Sequence, residues 1–175
     1  MRIISVRNAV NALALVRAAG RYLQSPVLLL IRLAWGWQLL ESGHGHLTNV
    51  AATAKNFVDW GIPFPTFNVY LAGGTEMIGG ALLMIGLAAR LISIPLFFNF
   101  CVAYLTASRD EVVHLFSQNP DAFINDAAFP FWVTSLLIFA FGPGKFSLDY
   151  LICRFRRHAP SDEGNEANRK SGAAT

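Results

Sequence analysis

The sequence predicts an all-α fold: a polytopic membrane four-helix bundle with a short N-terminal amphipathic helix. Three observations carry this. The 175-residue chain is 54% hydrophobic and only 14% charged, whereas soluble domains average about 25% charged residues. Four apolar segments recur, at roughly Pro26–Ser42, Phe67–Ala88, Leu91–Ala107 and Ala122–Gly142. Each approaches the ~20 residues that a helix needs to cross about 30 Å of hydrocarbon. Third, the basic residues sort to one side. Arg2, Arg7, Arg17 and Arg21 precede the first segment. Arg90 separates the second and third. Lys145, Arg154, Arg156, Arg157, Arg169 and Lys170 follow the fourth. These eleven face only Lys55 and Arg109 on the other side. The positive-inside rule then places both termini in the cytoplasm.

Other classes fit less well. Nothing alternates at period two, which argues against a β-barrel. The pI near 9.1 does not indicate nucleic acid, because the basic residues flank apolar runs and form no stripe on a soluble face. Cys101 and Cys153 form no CxxC pair, so they read as structural thiols rather than a relay or zinc cage.

Three regions follow. Residues 1–25 carry Arg7, Asn11, Arg17 and Arg21 at helical spacings, with Leu13, Val16 and Leu23 opposite. This pattern suits an amphipathic helix lying on an anionic membrane face; a frayed tail is the alternative. Arg17 and Arg21 interrupt the apolar region that a signal peptide would need. Residues 26–150 form the four-span domain. Pro95 and Pro130 lie inside its third and fourth spans, where membrane helices tolerate proline. The loop LTNVAATAKNFVDWGIPFP has a partly helical rhythm and reads as an interfacial helix or cap, with Trp60 at the headgroup level. Residues 151–175 are polar, small and mixed in charge, as in a disordered cytoplasmic tail.

Charges within the spans mark the candidate site. A charge at the bilayer centre costs about 2.5–3.5 kcal/mol even on lenient scales, so it should face the bundle and have a partner. Glu76 shares its helical face with Ala72, Gly73, Gly79 and Gly80, and Arg32 is followed four residues on by Gly36. Small residues allow close helix approach. Counting about 1.5 Å per residue from the cytoplasmic ends puts Arg32 roughly 9–12 Å deep and Glu76 roughly 18 Å deep, a gap that the two long side chains can bridge. An Arg32–Glu76 pair is therefore expected. It serves either to fix helix register or to handle a proton or polar headgroup.

The strings RLAWG, ESGHGHLTN, GIPFP, LAGGTEMIGGALLMIGLAAR, TASRDE and FGPGKFSLD occur in this order. Together they resemble the DoxX family of bacterial inner-membrane proteins, from about Leu29 to Asp149. The resemblance implies a four-helix bundle in the inner membrane, linked to membrane oxidoreductase systems such as quinone-linked thiosulfate dehydrogenase. On this analogy Arg32 and Glu76 match the family's polar positions and take the catalytic role. Arg109 and Asp110 match its segment after the third span. With Glu41 and His46 they form a candidate substrate-binding mouth. Similar sequences commonly read GWGKLTN where this chain has GHGHLTN, so His44 and His46 replace an aromatic and a lysine.

His44 and His46 also admit a metal reading in an extended loop, with Glu41, Glu111 or His114 as further ligands. Transition-metal sites want three or four such groups, and only two are adjacent, so the histidines read better as interfacial hydrogen-bonding groups. Ser108 before Asp110 and Glu111 reads equally as a helix start.

Two function classes remain. The first is a subunit of a quinone-linked or redox-stress-related membrane oxidoreductase. Arg32 would hold the quinone oxygen and Glu76 would exchange its proton. Trp35, Trp37, Phe97, Phe98 and Phe100 would wall the ring. The sequence carries no flavin, haem or iron–sulfur motif, so electrons would come from a redox enzyme partner. The second is a non-catalytic scaffold, assembly factor or small-molecule carrier in the lipid bilayer.

Overall fold

A computed structural model describes residues 2–115 and 120–158. Among them are eight helices and no strand: α1 (Arg2–Thr48), α2 (Val50–Asp59), α3 (Pro65–Ile85), α4 (Ala89–Thr106), α5 (Arg109–Leu115), α6 (Pro120–Asn125), α7 (Phe129–Phe141) and α8 (Leu148–His158). α1 packs along α3, α3 along α4, α4 along α7, and α7 returns to α1. These four helices thus contact one another in a ring. Leu28, Leu39, Leu83, Leu96, Phe100 and Ile138 fill its interior.

Glycine sets the closest contact. α1 and α3 run antiparallel, and a Cβ at Gly80 would lie 2.5 Å from Gly36 O and 2.7 Å from the Leu40 backbone nitrogen. Gly43 meets Gly73 and Met77 in the same way. Backbones this close leave no room for a side chain, which explains the small-residue face around Glu76. By contrast a Cβ at Gly74 would meet nothing within 4 Å.

The ring is apolar outside, and its apolar interior also encloses several polar side chains. Ile78, Phe98, Leu105 and Phe139 are exposed, whereas Arg32, Glu76, Ser93, Thr134 and Ser135 are buried. α4 is the one described helix long and apolar enough by length and composition to cross a membrane. α3, at 21 residues, is about 31 Å long.

Three expectations change. The first apolar segment does not begin a new helix at Pro26. α1 is continuous through it for 47 residues, about 70 Å, and also through the glycines up to Thr48. The fourth segment is not one helix: it divides into α6 and α7, because the Asp126 carboxylate accepts a hydrogen bond from the Ala128 backbone nitrogen (2.7 Å) and Pro130 then favours a fresh start. α7 has 13 residues, about 20 Å, short of a full crossing. Finally, residues 151–158 of the expected tail belong to helix α8; residues 159–175 lie outside the described residues. The loop after α1 holds α2, with Thr53 and Phe57 buried against α3.

Candidate functional site

Two polar centres lie at different levels of the ring. The first surrounds Glu76, midway along α3 and 5% exposed. Ser42 Oγ on α1 donates to Glu76 Oε2 at 2.9 Å, and Asn99 Nδ2 on α4 donates to Oε1 at 2.9 Å. His46 Nε2, one turn beyond Ser42, stands 3.6 Å from Oε2. A single carboxylate therefore ties three helices together. Two of its partners are neutral donors, and the third is an imidazole whose side chain is 35% exposed. Such a group can take up and release a proton without breaking its hydrogen bonds, and His46 connects it to the α2 side of the molecule.

The second centre lies where α3 turns into α4. Arg32 is fully buried, and its Nη2 donates to Phe146 O. Its Nε and Nη1 have no partner. Gly86, at φ +72°, passes so close that a Cβ there would collide with Arg32 Nη1 and with Ser147. The negative charge that acts on it is that of Asp149. Its carboxylate accepts from the backbone nitrogens of Ala88 (2.7 Å) and Ala89 (3.0 Å), and its own N–H donates to Gly86 O at 3.0 Å. Asp149 thus caps α4 from a distant part of the chain. It holds Ala88 at φ +49°, a left-handed conformation that costs a non-glycine residue about 1–2 kcal/mol.

The expected Arg32–Glu76 pair does not form. Antiparallel packing sets Arg32 opposite Gly86 and Ser42 opposite Glu76. Ten residues of α1 separate those levels, about 15 Å along the axis. The depth argument failed because it began the first span at Pro26, whereas α1 runs on past that point at both ends. It follows that Arg32→Leu and Glu76→Leu should add in their effects on stability to within about 0.5 kcal/mol. A double-mutant cycle by thermal unfolding in detergent checks this; a coupling well above that figure would restore the pair.

The other candidates lie apart. Glu41 and His44 are exposed on α1. His44 and His46 do not converge, because the segment is helical and residues i and i+2 point to different sides. Among the described residues no group of three His, Cys, Asp or Glu side chains is placed to hold a metal; the side chains of Glu111 and His114 lie outside the described ones. Arg109 and Asp110 are exposed on α5, which packs on α4 and α6 rather than on α1. Ser108 Oγ donates to Asp126 Oδ2 at 2.6 Å instead of capping α5. Of the aromatic residues, Phe97 stacks on Trp132 and Phe100 on Phe131, Trp35 meets Phe131 edge-on, and Trp37 is exposed. Phe97 and Phe98, with Ser93 and Ser135, line an apolar cleft of about 210 Å³ between α4 and α7; Glu76 is not part of its wall.

A family model described as DoxX matches residues 27–109. That stretch contains Arg32 and all four groups of the Glu76 cluster. No curated protein and no solved structure matches the chain.

Proposed function

We propose that this chain, whose residues 27–109 match the DoxX family model, is a four-span inner-membrane subunit of a quinone-linked redox system, with Glu76 as its proton-exchanging group. The observation that carries this is the buried Glu76 carboxylate, held by Ser42 and Asn99 with His46 beside it. A carboxylate kept in an apolar bundle without a guanidinium or ammonium partner is costly unless it works as a proton site. Reduction of a quinone to a quinol takes up two electrons and two protons. A redox enzyme partner supplies the electrons; Glu76 passes on protons one at a time and is reloaded through His46. The basic residues flanking the spans support an orientation with both termini cytoplasmic. In this reading Arg32 is a positioning residue for the α3–α4 corner rather than a contact to quinone.

The bond from Glu76 to both α1 and α4 favours a second reading, in which the cluster only fixes helix register in a scaffold. Glu76→Gln separates the two. The amide oxygen can still accept from Asn99 Nδ2 while its NH2 donates to Ser42 Oγ, whose hydroxyl turns from donor to acceptor, so the thermal midpoint should stay close to that of the wild type. Loss of a hydrogen bond to a charged group, about 1.5–3 kcal/mol, should weaken binding of a short-chain quinone about 10- to 100-fold. The measurement is a quinone titration of the purified protein in detergent, with mass spectrometry of co-purifying quinone. Unchanged quinone binding, or none in the wild type, would leave the scaffold reading.

A further inference from the structure

α8 is joined to the rest of the molecule through its first turn and packs extensively on no other helix. Leu148, Leu151, Ile152 and Phe155 fall at i, i+3, i+4 and i+7, so they form one stripe. They are 37–76% exposed. Arg154 and Arg156 stand to either side of the stripe, and Lys145 precedes it. The helix has one acidic residue, Asp149, and its carboxylate is turned to the backbone of Ala88 and Ala89.

The attachment point fixes the level of the helix. Asp149 binds the corner where α3 ends and α4 begins. Exposed Ile85 and Leu91 flank that corner, so the rim of the apolar belt lies there. The stripe of α8 starts at that rim. We propose that α8 is an interfacial anchor: it lies on the anionic lipid leaflet at this end of the bundle, with its stripe in the acyl region. Arg156 and Lys145 then reach the phosphates, as long basic side chains do beside an apolar face. Charge complementarity selects an anionic surface over a neutral one. The proposal rests on the membrane part of the reading above and is independent of any redox role.

The test uses the full chain in nanodiscs of phosphatidylcholine, with or without phosphatidylglycerol. Exposed Cys153 lies on the side of α8 away from the stripe, and Phe155 lies on it. A fluorophore is placed on Cys153 in a Cys101→Ser background, or on Phe155→Cys with both native cysteines replaced by serine. Phe98→Cys on α4, 62% exposed, reports on the span itself. Brominated lipid should quench the labels at 98 and 155 several-fold more strongly than the label at 153. Omitting phosphatidylglycerol should weaken quenching at 155 and leave 98 unchanged. Quenching at 98 with equal quenching at 153 and 155 overturns the anchor and spares the membrane reading; no quenching at 98 overturns that reading first. A label at 155 shielded from both lipid and water overturns the anchor in favour of a protein partner. Because Phe155 is 76% exposed, the fold does not depend on it, and thermal unfolding of the labelled chain verifies this.

Discussion

Gly80→Val should disrupt the pairing of α1 and α3 and produce a large loss of stability. The added side chain would meet the Gly36 carbonyl and the Leu40 nitrogen. Both are backbone atoms in the middle of a long helix and cannot rotate aside. Overpacking of a core typically costs about 1–3 kcal/mol when side chains can adjust; here the cost should reach the top of that range or exceed it. α1 would be pushed off α3, and Ser42 and His46 would be carried away from Glu76. Thermal unfolding in mild detergent is the measurement, and Gly74→Ala is the control. Nothing lies within 4 Å of that position, and alanine is the better helix former by about 1 kcal/mol. Gly74→Ala should therefore leave the midpoint unchanged or raise it. A tolerated Gly80→Val would mean that the two helices do not approach as closely as described.

The second large effect concerns the α3–α4 corner, and it is asymmetric. Asp149→Ala removes the cap of α4 and leaves fully buried Arg32 without the opposite charge that acts on it. Removing one member of a buried charge arrangement costs about 3–5 kcal/mol. Arg32→Met removes the cation itself, along with two guanidinium nitrogens that have no partner. A methionine fills similar length, so this change should cost no more than about 1.5 kcal/mol. The double variant should be more stable than Asp149→Ala alone. The same order should appear in denaturation midpoints. If Arg32→Met proves the more damaging, Arg32 is bound to a group beyond Phe146 O, and its role extends past positioning.

The two centres were legible in the sequence to different degrees. Glu76, its glycine face and its burial could be read directly, because an acidic residue amid i±3 and i±4 glycines has only one inexpensive place to point. The partners could not. Helical periodicity gives faces, but it does not give the axial offset between two helices; that offset is set by contacts such as Gly36 with Gly80. Choosing Pro26 as the start of a span placed Arg32 too close to Glu76. Asn99 carried a signal that was available, as a lone amide in FFNFC within an apolar run. Its pairing with Glu76 required knowing which side of α4 faces α3. Asp149 was visible only as the end of the GPGKFSLD string, since nothing local indicates that its carboxylate caps a helix far up the chain. The division of the fourth segment was marked by Asp126 and Pro130, but mean hydropathy averaged over both.

The cap on α4 also sets an order of assembly. Asp149 lies 61 residues after Ala88. At about 5–20 residues per second of synthesis, roughly 3–12 s pass between the emergence of the corner and the arrival of the residue that secures it. During that interval the first turn of α4 has open backbone N–H groups, and Arg32 lacks both Phe146 and Asp149. A chain interrupted anywhere before Asp149 would keep that vulnerability permanently, whatever the quality of its first three apolar segments. The closing turn is therefore what completes the corner: only a chain synthesised through Asp149 has the first turn of α4 capped.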